Sequence, residues 1–186
     1  TKKLLKDTKD IIYFKVYLDG DFPADFKRLR NETREMLNQF RAFNGNVEYE
    51  FINPNSIADP TEQRAFYQSL VDKGIQPTQI NERKKDGMQQ LLIFPAAEVT
   101  CQGRTAVVHL LSSQRYIPEE ELLNNSIQNL EYVLTDGIRK VIGVRKNKVG
   151  VIRGHGELAK ENLFDIQVAL SEYYIVENVE INERIN

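Results

Sequence analysis

The chain has 186 residues, of which 41% are hydrophobic and 28% are charged, an ordinary composition for a globular protein. Its 25 basic and 27 acidic residues give a net charge of −2, so it lacks the basic field that holds nucleic acid, and no nucleic-acid partner is expected. Cys101 is the single cysteine, which excludes an internal disulfide and a thiolate-rich metal site.

A strand and a helix are predicted at the start of the chain. Residues 11–18 form a nearly continuous apolar run, which is typical of a central strand buried on both faces. Pro23 suits the first turn of a helix, and apolar residues recur at helical spacing from Phe26 to Phe43. Basic and acidic residues are interspersed on the opposite face of this helix, so we interpret that face as solvated.

A second strand and a second helix follow. Residues 47–51 alternate between apolar and acidic side chains, which predicts a strand that is half exposed or near the edge of the sheet. A strand, a helix and a strand of these lengths predict a right-handed parallel crossover. Asp59, Pro60 and Glu62 then form a typical helix start, and this helix is expected to end near Gly74.

Two hairpins are predicted in the middle of the chain. Asp86-Gly87 and Gln102-Gly103 suit tight turns because these residue types tolerate positive φ angles. The basic cluster at residues 83–85 is interpreted as the charged tip of a loop. The strands on either side of these turns complete a β-meander.

The residue types that most often carry chemistry are scarce. Cys101 and His109 fall in or beside predicted strands, and we interpret both as packing residues. The other histidine is His155, so three or four zinc ligands are not expected, and neither a metal nor a cofactor is predicted.

Residues 118–142 are predicted to form one continuous helix, the longest of the chain, because a single apolar stripe runs through them. Residues 1–145 therefore form an α/β domain of order β-α-β-α, β-meander, α. This order resembles a thioredoxin-like fold. No Cys-x-x-Cys follows the first strand, so thiol redox activity is not expected.

A second unit is predicted at residues 146–186, where a new β-α-β pattern begins. A unit of roughly 40 residues is too small to be stable alone. We interpret it as the start of a second α/β domain that continues past Asn186.

The turn after the first strand of this unit is the best candidate site in the sequence. It comprises Arg153, Gly154, His155, Gly156 and Glu157, and turns at the carboxyl ends of parallel strands often hold ligands. Two potential ligands are too few for zinc, and the glycine pattern falls short of a dinucleotide fingerprint. The alternatives are a purely structural tight turn and a small-ligand contact; no nucleophile and base pair is present to suggest catalysis.

Four stretches together resemble a known family. They are Val16-Tyr-Leu-Asp-Gly-Asp-Phe-Pro23 with the following Phe26-Lys-Arg-Leu29, Glu48-Tyr-Glu-Phe-Ile-Asn-Pro54, Asn124-Asn-Ser-Ile-Gln-Asn-Leu-Glu-Tyr132 and Gly154-His-Gly-Glu-Leu158. In this order they are similar to the GldG-like, gliding-motility-associated ABC transporter auxiliary proteins of Bacteroidetes, and the similarity runs through essentially the whole chain.

The resemblance implies a location and partners. It implies a large extracytoplasmic region, tethered to the inner membrane by transmembrane helices outside this chain and facing the periplasm, of which residues 1–186 are the N-terminal part. It implies as partners the permease and ATPase subunits of the same ABC transport system, and other envelope proteins.

Two functional hypotheses follow. The first is a non-catalytic extracytoplasmic component of an ABC transport system, linked to gliding motility or export, that acts through protein or ligand binding. The second is a small-ligand domain or enzyme, with a sugar or nucleotide-like ligand, whose crevice is formed by residues 154–157.

Overall fold

The computed structural model describes residues 1–84, 87–112, 117–142, 148–153, 156, 158, 160–171 and 174–180. The chain divides into two compact units, Thr1–Ile142 and Gly143–Asn186. Both contain helices and strands, so the α/β class is confirmed.

The first unit is built on a mixed four-stranded sheet. Its elements are α1 (Lys2–Asp7), β1 (Ile12–Val16), α2 (Ala24–Phe43), β2 (Val47–Phe51), α3 (Pro60–Asp72), β3 (Thr78–Lys84), β4 (Gly87–Ile93), β5 (Ala96–Cys101), β6 (Arg104–His109), α4 (Glu119–Gln128) and α5 (Leu130–Ile142). The strand order is β2-β1-β5-β6; β1 is parallel to β2 and antiparallel to β5, which is antiparallel to β6. The predicted parallel crossover is therefore confirmed, with β1 inside the sheet and β2 at its edge.

The main core lies between one face of this sheet and the helices α2 and α5. Ile12, Phe14 and Val16 of β1 are fully buried on that face, together with apolar residues such as Leu37 of α2 and Leu134 of α5. On the other face, β1 was expected to be buried as well, but Tyr13 and Lys15 remain partly exposed. The reason is that no described helix is packed over that part of the strand.

The predicted start of α3 is confirmed. Asp59 is its N-cap, and its Oδ1 accepts hydrogen bonds from the backbone N–H groups of Thr61 at 2.8 Å and Glu62 at 2.9 Å. Pro60 occupies the first turn, where a missing N–H costs nothing. At the other end, Gly74 has a φ of +87°, a conformation that favours glycine.

The prediction of one helix over residues 118–142 was wrong, because α4 and α5 are separated at Asn129. The Asn129 N–H is shared between the carbonyls of Asn125 at 3.1 Å and Ser126 at 3.2 Å. The Ser126 hydroxyl donates to the Leu122 carbonyl at 2.7 Å and so competes with the backbone ladder just before the break. Among the described residues the longest helix is α2, with 20 residues.

The region of residues 78–93 forms an antiparallel strand pair, as the predicted hairpin at Asp86-Gly87 requires, although Asp86 itself lies outside the described residues. Strand β3 begins at Thr78 and extends to Lys84, so Arg83 and Lys84 lie in a strand and not in a loop tip. It pairs with β4 in a separate two-stranded sheet, and β4 does not join β5. The predicted hairpin at Gln102-Gly103 is confirmed, with both residues at positive φ between β5 and β6.

The second unit contains a parallel pair, as the β-α-β pattern predicts. Its elements are β7 (Lys148–Arg153), α6 (Phe164–Ser171) and β8 (Ile175–Glu180). No described residue of this unit is buried, and its apolar residues, such as Phe164 and Ile166, are largely exposed.

Candidate functional site

The sequence-predicted site lies at the carboxyl end of β7. Arg153 is the last residue of that strand, and Gly156 follows with a φ of +88°, which only glycine adopts easily. Gly154, His155 and Glu157 lie outside the described residues. The suggested ligand contact at this turn therefore stays a prediction.

Arg153 is held by a neighbouring amide. Its Nε donates to Asn178 Oδ1 at 3.0 Å, and Gln167 Nε2 donates to the same oxygen at 3.2 Å. Arg153 Nη2 is buried and has no hydrogen-bond partner among the residues that the structure describes. Within the described ranges no three residues of the types that ligate metals come together.

A second candidate lies in the first unit, on the face of the sheet turned away from α2 and α5. Two cross-strand rows form it: Glu48, Tyr13, Thr100 and Thr105 stand side by side, as do Glu50, Lys15 and Glu98. Every one of these seven side chains is at least partly exposed. We call this surface the open face.

Charges of both signs are arranged across the open face. Lys15 Nζ lies 3.9 Å from Glu50 Oε1. Lys73 follows the last residue of α3, and its Nζ lies 2.6 Å from Glu98 Oε2. Glu48 makes no ion pair with a described residue, so the surface keeps one uncompensated carboxylate.

Burial and neighbouring carboxylates raise the pKa of two tyrosines at this surface. Burial and then the carboxylate of Glu50 raise the pKa of Tyr13 above its usual range. Burial, followed by the charges of Glu98 and Glu50, raises the pKa of Tyr17 to about 12. Both phenols therefore stay neutral hydrogen-bond donors at physiological pH.

The open face includes a parallel strand pair. All-parallel sheets are covered on both faces, whereas in this mixed sheet α3 covers only one end of the surface. At that end, Tyr17 packs edge-on against Phe66 with ring centroids 6.2 Å apart, and Phe94 contacts Tyr67. The part of β1 that contains Lys15 is left without a described helix above it.

Cys101 and His109 turn out differently from each other. Cys101 is buried, and burial raises the pKa of its thiol, so the prediction of a packing residue is confirmed. His109 is exposed, so the same prediction was wrong for it. It lines a cleft of about 240 Å³ with residues such as Ser126 and Tyr132, beside the break between α4 and α5.

The sequence does contain a signal for the open face. Lys15 interrupts the apolar run of residues 11–18, and Glu48 and Glu50 alternate with apolar residues in the next strand. Because Lys15 and these acids fall in neighbouring strands, their pattern indicates one polar sheet face. We interpreted the run as buried on both faces, and so this surface was missed.

Comparison with known proteins identifies the family. The family model described as "Domain of unknown function (DUF7088)" matches residues 1–100. The chain belongs to this family. The DUF7088 match spans α1 to β4 and most of β5, and so includes the β1 and β2 residues of the open face. No curated protein and no solved structure matches the chain.

No described helix is long and apolar enough to cross a membrane.

Proposed function

We propose that the chain is a non-catalytic, extracytoplasmic component of an ABC transport system that acts by binding other proteins. The observation that carries this proposal is the open face, where a parallel strand pair is left uncovered within the described fold. The resemblance to GldG-like proteins supplies the partners: the permease and ATPase of the same system and other envelope proteins. It also supplies the location, which is the periplasmic side of the inner membrane, with the tether outside this chain.

The composition of the open face suits a protein partner better than a small substrate. It is a surface with spaced charges and three hydroxyl groups, those of Tyr13, Thr100 and Thr105, and the two threonine hydroxyl oxygens lie 3.3 Å apart. Small-molecule sites are concave and mostly apolar, whereas the rim of a protein interface is polar and solvent-accessible. A link to gliding motility or to export follows only from the resemblance.

We also propose that the first unit is thioredoxin-like. If α1 and the β3–β4 hairpin are set apart and α4 and α5 are counted together, the central sheet and its helices follow the order β-α-β-α-β-β-α, the order on which the resemblance rests. The first strand is followed by Asp19 and Gly20 and not by a Cys-x-x-Cys, which is consistent with a binding function and not a redox one.

The proposal is tested by changing the open face in the full-length protein in its native membrane. Lys15→Glu with Thr105→Glu makes the net charge of the surface more negative by three and leaves the buried face of the sheet unchanged. Lys9→Glu with Gln39→Glu is the matched control, because both residues are exposed and the charge change is the same. Mild solubilisation and mass spectrometry then compare the transporter subunits recovered with each variant.

The proposal predicts that the open-face variant loses most of the permease and ATPase while the control retains them. Equal recovery from both variants would overturn the assignment of this surface. Thermal melts of both variants distinguish lost binding from lost folding.

A second candidate function is favoured by one observation. The buried Nη2 of Arg153, which has no partner in the described part of the chain, lies at the carboxyl end of β7, where an anionic or carbonyl group of a sugar or nucleotide-like ligand could accept its hydrogen bond. A thermal-shift screen with sugars, nucleotides and divalent metals tests it. A ligand at one hundred times its dissociation constant stabilises the protein by about 2.7 kcal/mol.

A further inference from the structure

The outer edge of β2 carries unpaired backbone groups. Ile12 N–H donates to the Asn46 carbonyl at 2.9 Å, and Ile52 N–H donates to the Val16 carbonyl at 2.8 Å. In a parallel strand pair, alternate residues direct their N–H and C=O groups to the same neighbouring strand. These two hydrogen bonds therefore mean that the backbone groups of Glu48 and Glu50 point towards β1 and those of Tyr49 and Phe51 point away from the sheet. The outward N–H and C=O groups of Tyr49 and Phe51 have no hydrogen-bond partner in the described parts of the chain.

The side chains around this edge are sorted by charge. On the helix-covered face, the guanidinium carbon of Arg34 lies 4.6 Å from the ring centroid of Phe51, and that of Arg41 lies 4.4 Å from the ring centroid of Tyr49. On the opposite face, the exposed side chains are Glu48 and Glu50. The edge is therefore basic on one side and acidic on the other.

This arrangement argues against pairing with a second copy of the chain. In each antiparallel pairing of β2 with itself that places Tyr49 opposite a residue of the other copy's β2, Glu48 or Glu50 would stand opposite a glutamate. Arg34 and Arg41 would likewise meet arginines. Like charges directly opposite each other destabilise a strand pair, so charge repulsion disfavours pairing of β2 with a second copy.

We propose that β2 is a docking edge for an extended segment of a partner protein, which adds to the central sheet as a fifth strand. The segment has alternating chemistry, with Lys or Arg facing Glu48 and Glu50 and with acidic side chains facing Arg34 and Arg41. Its backbone pairs with the N–H and C=O groups of Tyr49 and Phe51. Backbone bonds of this kind give affinity, and the alternating side chains give specificity.

The inference rests on the proposed protein-binding function and names the form of the partner. Charge complementarity fixes the register of the segment, because a slip by one residue would turn its basic side chains towards the arginines. The edge also adjoins the open face through Glu48 and Glu50, so one partner can contact both surfaces.

The test uses the whole chain and a fluorescent peptide of sequence TKEKVKEKT. The control is a peptide of the same composition, TKKKKVEET, in which the lysines and the glutamates are grouped in two separate blocks. Two protein variants carry the same charge change: Glu48→Lys with Glu50→Lys at the edge, and Glu32→Lys with Glu120→Lys at exposed positions elsewhere. Fluorescence polarisation measures binding, and amide exchange followed by NMR measures protection in the wild-type chain.

The alternating peptide is expected to bind the wild-type chain at least about tenfold more tightly than the control peptide. The Glu48→Lys and Glu50→Lys variant should bind the alternating peptide about tenfold more weakly than wild type does. The Glu32 and Glu120 variant should bind like wild type. Peptide should slow exchange at the Tyr49 and Phe51 amides, while the Glu48 and Glu50 amides, already paired with β1, should change little.

Three outcomes would overturn the inference: no binding below about 1 mM, equal losses in both variants, or protection of Tyr49 and Phe51 without peptide in a dimeric chain. The last would assign the edge to a second copy. If transporter subunits are recovered from native membranes but the peptide fails, only the docking edge is wrong. If the peptide binds but no subunit is recovered, the transport assignment is wrong.

Discussion

Gly137 of α5 lies directly against Val108 of β6. A methyl group placed on Gly137 would overlap the Cγ2 methyl of Val108 and come within 3.2 Å of Val99 Cγ2. This contact brings α5 close to the sheet, and both residues are buried in the main core. The glycine is therefore required by packing and not by its backbone conformation.

Gly137→Ala is expected to destabilise the first unit by about 1–3 kcal/mol, because the overpacked methyl outweighs the helix preference for alanine. Val108→Ala alone removes core contacts and is also destabilising. The double variant should be more stable than the sum of the two single effects predicts, since the smaller side chain makes room for the methyl. Urea unfolding of all four proteins measures this coupling, and simple additivity would contradict the contact.

Stability should fall at high pH because of Tyr17. Its folded pKa is about 12, against an ordinary value of 10.0, so between these values the unfolded chain loses the phenolic proton while the folded chain retains it. The stabilisation is therefore complete below pH 10 and is lost as the pH rises towards 12, by about 2–3 kcal/mol in total. Tyr17→Phe should not show this component. Urea unfolding of both proteins from pH 8 to 11 isolates it, and parallel curves would refute the shift.

The cap of α3 gives a separate prediction. Asp59→Ala should cost about 1 kcal/mol, because the N–H groups of Thr61 and Glu62 lose their acceptor at the helix start. Asp59→Ser keeps an acceptor and should recover most of the loss. Thermal unfolding compares the three proteins, and an Asp59→Ala protein as stable as wild type would show that the cap has no role.

The glycine-rich turn discriminates between the two functional candidates. Under the transporter proposal, His155→Ala with Glu157→Ala should leave recovery of the permease and ATPase unchanged. Gly156→Ala should still reduce stability, by about 1 kcal/mol, because its φ of +88° is strained for alanine. If the His155 and Glu157 variant abolishes a ligand-induced thermal shift and function in the cell, the result would favour the small-ligand function over the transporter function.

The elements that sequence could predict are those with strong local signals. The α2 stripe and the Asp59 cap depend on spacing and capping chemistry within a few residues. The cap and the stripe from Phe26 to Phe40 were located correctly, whereas Phe43, where the predicted stripe ends, is exposed. The break at Asn129 was not, because the apolar stripe continues through it and only the local hydrogen bonds of Ser126 reveal it.

The open face was not predicted because it depends on which strands become neighbours. Lys15 stands opposite Glu50 on one side and Glu98 on the other, although these acids are 35 and 83 residues away in sequence. Periodicity within one strand indicates which side chains share a face, but it does not show that no helix will cover that face. For the predicted turn at residues 153–157, the residue types are visible in the sequence, but the hydrogen bond between Arg153 and Asn178 is not.

The central claim, that this chain is the protein-binding part of an ABC transport system, is tested most directly by purifying the full-length tagged protein from native membranes. Mild solubilisation followed by mass spectrometry should recover a permease and an ATPase of one system. These should be lost from the Lys15→Glu and Thr105→Glu variant and kept by the Lys9→Glu and Gln39→Glu control. Recovery of the protein without any transporter subunit would contradict the claim and favour the turn at Arg153 as an independent ligand site.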